Sequence, residues 1–105
     1  MIKQILRATG LPGWPGRCPD PPGSTYAIYF DNVTADGPDG RNGVYTHDIM
    51  LELYSPRADD AAEADIEAEL DARGLHYTKQ ACYWLGTTQR YQTIYEFTYH
   101  VKRRL

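Results

Sequence analysis

The chain has 105 residues, 24% of them charged, and a formal net charge of −3; its pI is near 5.5. That length suits one domain around one modest core, so residues 1–105 read as a single domain. The acidic balance speaks against a general nucleic-acid binder, which carries a basic excess. No apolar run reaches membrane-spanning length, and MIKQILRATG holds too short an apolar patch for a secretory signal. A soluble protein made in the cytoplasm is therefore expected.

Ile2, Ile5 and Leu6 recur at helical spacing ahead of Gly10, which predicts a short N-terminal helix with a glycine cap. Residues 10–23, GLPGWPGRCPDPPG, hold five of the seven prolines and read as a semi-rigid connector, with Trp14 as an anchor into a neighbouring surface. Proline removes the backbone N–H groups that a phosphate loop needs. STYAIYFD is a strand by composition. Residues 32–43 form a polar, glycine-rich protruding loop, either a free tip or a finger that orders against a partner. VYTHDIMLELYS alternates as a second strand.

SPRADDAAEADIEAELDARG is the clearest element. Ser55 suits the cap, Pro56 suits the first turn, and acids crowd the positive end of the dipole. Ala62, Ile66 and Leu70 make its buried stripe, and Gly74 stops it. LHYTKQACYWL and RYQTIYEFTYHV are two further strands, joined by the hairpin turn GTTQ.

The order α-β-β-α-β-β predicts an α+β fold. A four-stranded, mainly antiparallel sheet carries one long helix on a face, with a short N-terminal helix beside it. The long helix is expected to cover Tyr26, Ile28, Phe30, Ile49, Leu51, Leu53, Tyr95 and Phe97. The opposite face then holds Ala27, Tyr29, Met50, Ile94 and Trp84 among Asp48, Glu52, Arg90 and Glu96. That mixture is too apolar for a fully solvated face, so either the N-terminal helix or a second subunit covers it.

Chemistry is sparse. The three histidines, His47, His76 and His100, make no helical zinc pair, and Cys18 and Cys82 lack metal-site spacing and are expected as free thiols. There is no nucleophile elbow, Walker loop or dinucleotide fingerprint. No catalytic, cofactor-binding or metal-binding residue is therefore expected. The rival reading is a small α+β enzyme or ligand-binding domain using His47, Asp48 and Glu96 in a cleft.

Tyr91, Tyr95, Phe97 and Tyr99 alternate along the last strand. A base-stacking platform needs exposed aromatics interleaved with basic residues, and here only Arg90 qualifies before the end of the chain. The row reads as a core face. Residues 57–73 carry seven acids against two arginines, a net of −5 that leaves +2 elsewhere. Lys102, Arg103 and Arg104 end the chain on a basic cluster.

A short helix ending in TGLP, then YAIYF, HDIMLELYS, the acidic helix ending at Gly74 and YQTIYEF together resemble the small tail-assembly proteins of long-tailed bacteriophages. Tail terminators and the tail-completion components beside them are the best match. The resemblance spans residues 9–97 and rests on pattern, with no catalytic motif. The longer Pro/Gly connector and the basic end depart from that pattern.

The resemblance implies a structural, non-enzymatic virion protein of the tail or neck, made in the host cytoplasm. Such proteins form a homo-oligomeric ring, typically hexameric, at the head-proximal end of the tail tube and join tail to head. The implied partners are the major tail-tube protein and the head-completion or neck proteins, with DNA passing through unread. A neighbouring neck, tail-completion or tail-tube protein is the alternative within the same class. On this reading Trp14, Asp36, Asp39, Arg41, Arg57, Arg90, Ile94, Lys102, Arg103 and Arg104 are candidate interface residues. Glu63, Glu67 and Asp71 become candidate lumen-facing acids that repel passing phosphate.

Overall fold

Two helices and five strands, α1 (Ile2–Thr9), β1 (Gly13–Pro15), β2 (Tyr26–Asp36), β3 (Val44–Ser55), α2 (Asp60–Ala72), β4 (Tyr77–Leu85) and β5 (Arg90–Lys102), make up the computed structural model, which describes residues 1–36 and 43–102. The strands form one sheet in the order β1-β2-β3-β5-β4. Every pairing is antiparallel except β1 on β2. The class is α+β as expected, with five strands in place of four.

The additional strand lies inside the proline connector. Pro12 and Pro15 lack N–H donors, which a strand tolerates at a sheet edge. Their neighbours still bond: Ala27 N–H donates to Pro12 O (2.9 Å) and Gly16 N–H to Tyr29 O (2.9 Å). Gly13 is what allows the close approach, because a Cβ there would sit 2.5 Å from Leu6 Cδ1.

α1 matches its sequence pattern, burying Ile2, Ile5 and Leu6 and ending at Gly10. α2 starts later than predicted. Ser55 is not its cap but the buried last residue of β3, paired with Tyr91, and Pro56 lies ahead of the helix. Asp59 caps instead, accepting from the Ala62 N–H at 3.0 Å and from the Thr25 hydroxyl at 2.6 Å. Those two hydrogen bonds hold the Asp59 carboxyl below its usual range. At the other end Leu75 N–H reaches Leu70 O (2.9 Å) and Gly74 N–H reaches Asp71 O (3.0 Å), with Gly74 at φ 68. This paired closure needs a left-handed residue, and it tucks Leu75 against the core.

Both helices pack on one face of the sheet. Ile2, Ile5, Leu6, Ala62, Ile66 and Leu70 meet Ala27, Tyr29, Ile49, Leu51, Leu53, Tyr95 and Phe97 there. α1 therefore does not cover the opposite face. The parity predicted for β2 is also reversed: Ala27 and Tyr29 face the helices, while Tyr26, Ile28 and Phe30 take the other side. Both parities of STYAIYFD are apolar, so alternation alone does not choose. The register does, setting Ala27 beside Leu53 and Tyr29 beside Leu51.

Trp84 is reassigned too. One extra β4 residue between Gln80 and Tyr83 bulges out of the ladder. A single insertion flips every later side chain. Trp84 thus meets Tyr91 edge to face at 5.1 Å on the helix side, and Tyr83 goes to the other.

β2 continues through residues 32–36, which the sequence suggests as loop, paired from Asn32↔Asp48 to Asp36↔Val44. The remaining segment, with Asp39 and Arg41, lies outside the described residues. β1 ends opposite Tyr29 and β4 begins opposite Phe97. Beyond those rows the sheet narrows to three strands, residues 31–36, 44–48 and 98–102, which form an arm past the helices.

Candidate functional site

The face away from the helices divides into a covered end and an open end. At the covered end the connector folds back over the sheet. Trp14 meets Tyr26 edge-on at 6.1 Å, and Tyr26 stacks on Tyr54 at 5.3 Å. Arg90 Nη2 donates to Pro22 O at 3.0 Å and pins the connector down. A polar relay crosses three strands beneath: the Tyr83 hydroxyl donates to Gln92, Gln92 Nε2 to the Tyr54 hydroxyl (2.8 Å), and Tyr54 to Glu52 (2.9 Å). Burial, then the hydrogen bond to Glu52, pushes the Tyr54 hydroxyl up to about 12. Trp14 and Arg90, both expected at an interface, thus bind their own chain. Ile94 is half-buried between Glu52 and Gln80.

The open end begins one row further. Met50 and Glu96, then Asn32, Asp48 and Thr98, line a groove of about 690 Å³ walled on one side by residues 74–78, next to Phe30 on β2. Phe30 is 38% exposed there. Asp48 accepts from the Thr98 hydroxyl at 2.7 Å.

His47 sits on the other face. Its Nδ1 lies 2.9 Å from Asp31, and its ring stacks on Tyr99 at 4.5 Å with 5° between planes. Consecutive strand residues point to opposite faces, so His47 does not join Asp48 and Glu96 in one cleft. The rival trio is not assembled. His100, on the groove side of the arm, lies 3.0 Å from the Thr46 hydroxyl.

The acids of α2 are more occupied than their sequence suggests. Glu63 is only 7% exposed, and Lys79 Nζ bridges it to Glu67 at 2.8 and 2.9 Å. Glu67 also accepts from the Tyr95 hydroxyl (2.8 Å) and the Tyr77 hydroxyl (3.4 Å). Burial alone would raise the Glu67 carboxyl, but the bonds from Lys79 and Tyr95 outweigh it and hold it low. Its hydrogen bonds to Glu63 and then to Glu67 hold the Lys79 ammonium above its usual range. Glu63 and Glu67 therefore bond to the sheet strands, whereas Asp71 is exposed.

Sequence reasoning missed Lys79 and Tyr95 as partners of these acids. The available signal was a lysine at an inward position of β4, alternating with Tyr77 across from an acidic helix.

Arg57 is exposed ahead of α2, Lys102 is exposed at the end of β5, and the backbone of Asp36 ends β2. Arg103 and Arg104 lie outside the described residues. Cys18 and Cys82 are unpaired and partly buried. Among the described residues no group of three His, Cys, Asp or Glu side chains could hold a metal, and no helix is long and apolar enough to cross a membrane.

No family model matches this chain, and no curated protein matches it. Among solved structures it is similar to a chain of the virion of a native gene transfer agent (GTA) particle. The TM-score is 0.60 at 13% identity, over 94% of this chain and 84% of that one. At that identity the likeness is one of fold: this α+β arrangement also occurs in a component of a virus-like particle.

Proposed function

We propose that this protein is a structural subunit of a phage-type particle. Its role is that of a tail terminator, closing as a ring on the head-proximal end of the tail tube and joining tail to head. The observation that carries the reading is the fold shared with a gene transfer agent virion chain over 94% of the sequence. The dispersal of His47, Asp48 and Glu96 over two faces supports it, since the rival enzyme reading needs them together.

The partners on this reading are further copies of the chain, the major tail-tube protein and head-completion or neck proteins. DNA passes without being read. A neck, tail-completion or tube protein is the second reading within the same class, and a tube protein would polymerise where a terminator stops at one ring.

Light scattering and negative-stain electron microscopy of the purified full chain test it. A discrete ring, hexameric by mass, is expected. Long tubes overturn the terminator role in favour of a tube component. A chain that stays monomeric at every concentration overturns the ring reading.

A further inference from the structure

We propose that copies of this chain join edge to edge through the arm, with the β2 edge of one copy adding in parallel to the β5 edge of the next. This rests on the ring-forming reading above. The edges of the sheet body carry protection against strand addition. β1 is three residues long and ends in Pro15, and β4 carries a bulge. Short strands, proline and bulges are the usual blocks. Where β1 and β4 stop, that protection stops. Among the described residues, β2 over residues 30–36 and β5 over residues 98–102 are paired with β3 alone.

A closed ring needs unlike edges to meet, and the two edges differ in the sign of their charge. Residues 30–36 contain Asp31 and Asp36 and no base, whereas residues 98–102 contain His100 and Lys102 and no acid. Asp31 lies on the helix side and pairs with His47, whereas Lys102 lies on the groove side, so the unlike pairing is favoured by the overall sign of the two edges and not by an ion pair of Asp31 with Lys102. An unlike pairing is head-to-tail, which propagates and closes into a ring when the rotation allows.

Direction agrees. β2 and β5 both run antiparallel to β3, hence parallel to each other. Rotation about an axis along the strands brings one copy's β5 beside the next copy's β2 in parallel. The levels agree as well, since Thr34 and His100 both pair with Thr46, and Ala35 and Val101 both pair with Tyr45. Val33 and Val101, 51% and 45% exposed on the same side of the arm, are buried against each other's strand at such a junction once the ring's stagger is set.

Oxidative cross-linking of the full chain tests this, with the wild type and its native Cys18 and Cys82 as the control. His100→Cys combined with Thr34→Cys or with Asn32→Cys is expected to give a ladder of covalent multimers on a denaturing gel. Each single variant is expected to stay monomeric. All three positions are exposed, and circular dichroism confirms that the variants fold. Covalent dimers from a single variant mean that like edges meet, which overturns the proposal. A multimer by light scattering with no ladder from either double variant means that another surface joins the copies. That result overturns the edge pairing and leaves the ring reading intact, whereas a chain that is monomeric throughout overturns both.

Discussion

The same three strands are a closed core at one end and an open arm at the other. At the body end Leu51, Leu53 and Tyr95 are fully buried beneath Ile66 and Leu70. In the arm the same alternation places Val33, Tyr45, His47 and Val101 on the corresponding side beyond Tyr99, which packs against the margin of the core. Strand alternation states which side chains share a face. What covers that face is decided by where the helices stop. The body buries its apolar residues within the chain, whereas Val33 and Val101 of the arm stay about half exposed.

The sharpest way to break this comparison is a pair of truncations. Leu51→Ala leaves a cavity in the closed end and is expected to cost about 2–5 kcal/mol in urea unfolding. Val33→Ala in the arm is expected to stay within about 0.5 kcal/mol for the isolated chain. Equal losses would mean that the arm is covered in the monomer.

Next in size is the Glu63–Glu67–Lys79–Tyr95 cluster, the polar fastening of α2 to β4 and β5. Glu67 has a lowered carboxyl pKa, so its contribution is present above the ordinary carboxylate range and is lost as pH falls through the lowered value. Lys79 has the reverse sign, contributing fully below its ordinary value and losing that contribution only as pH rises through the raised one. Glu67→Gln is therefore expected to cost about 1 kcal/mol near neutral pH, discounted for the partial exposure of Lys79. The gap to wild type should close as pH falls below about 4, the ordinary range for a glutamate. A gap that persists unchanged through the acid limb of a pH–stability curve would show that packing rather than charge fastens the helix.

A comparable loss is expected at the α2 cap. Asp59→Ala removes bonds to Ala62 and Thr25 and should cost about 1 kcal/mol by thermal unfolding. Asp59→Asn should restore most of it at neutral pH, since an amide oxygen still accepts. The smallest effect belongs to the arm: His47→Ala exchanges an exposed pair with Asp31 and one ring stack for solvent. It is expected to change stability by less than about 1 kcal/mol.

Much of this was legible locally. The bounds of β3, Val44–Ser55, coincide with VYTHDIMLELYS, and the stops at Gly10 and Gly74 follow from glycine's access to left-handed backbone. The stripe Ala62, Ile66 and Leu70 needed only helical periodicity. The tyrosine row of β5 reads correctly as a core face because the opposite parity carries Arg90, Gln92 and Glu96. Tyr95 and Phe97 are indeed buried while Tyr99, out on the arm, is only half-buried.

What escaped was non-local. The facing of β2 depended on a register with β3, the side taken by Trp84 depended on a bulge against β5, and β1 existed only because β2 offered it an edge. That Glu63 and Glu67 turn to the sheet depended on a lysine more than ten residues away in the chain.

The amino-acid sequence by itself determined the elements, their caps and the class, because propensity, periodicity and turn chemistry act over a few neighbouring residues. Only the tertiary structure decided which face each strand shows, which charges are already satisfied within the chain and where the sheet runs out of cover. Those depend on pairing register and helix length together, and a one-residue slip in register exchanges inside for outside.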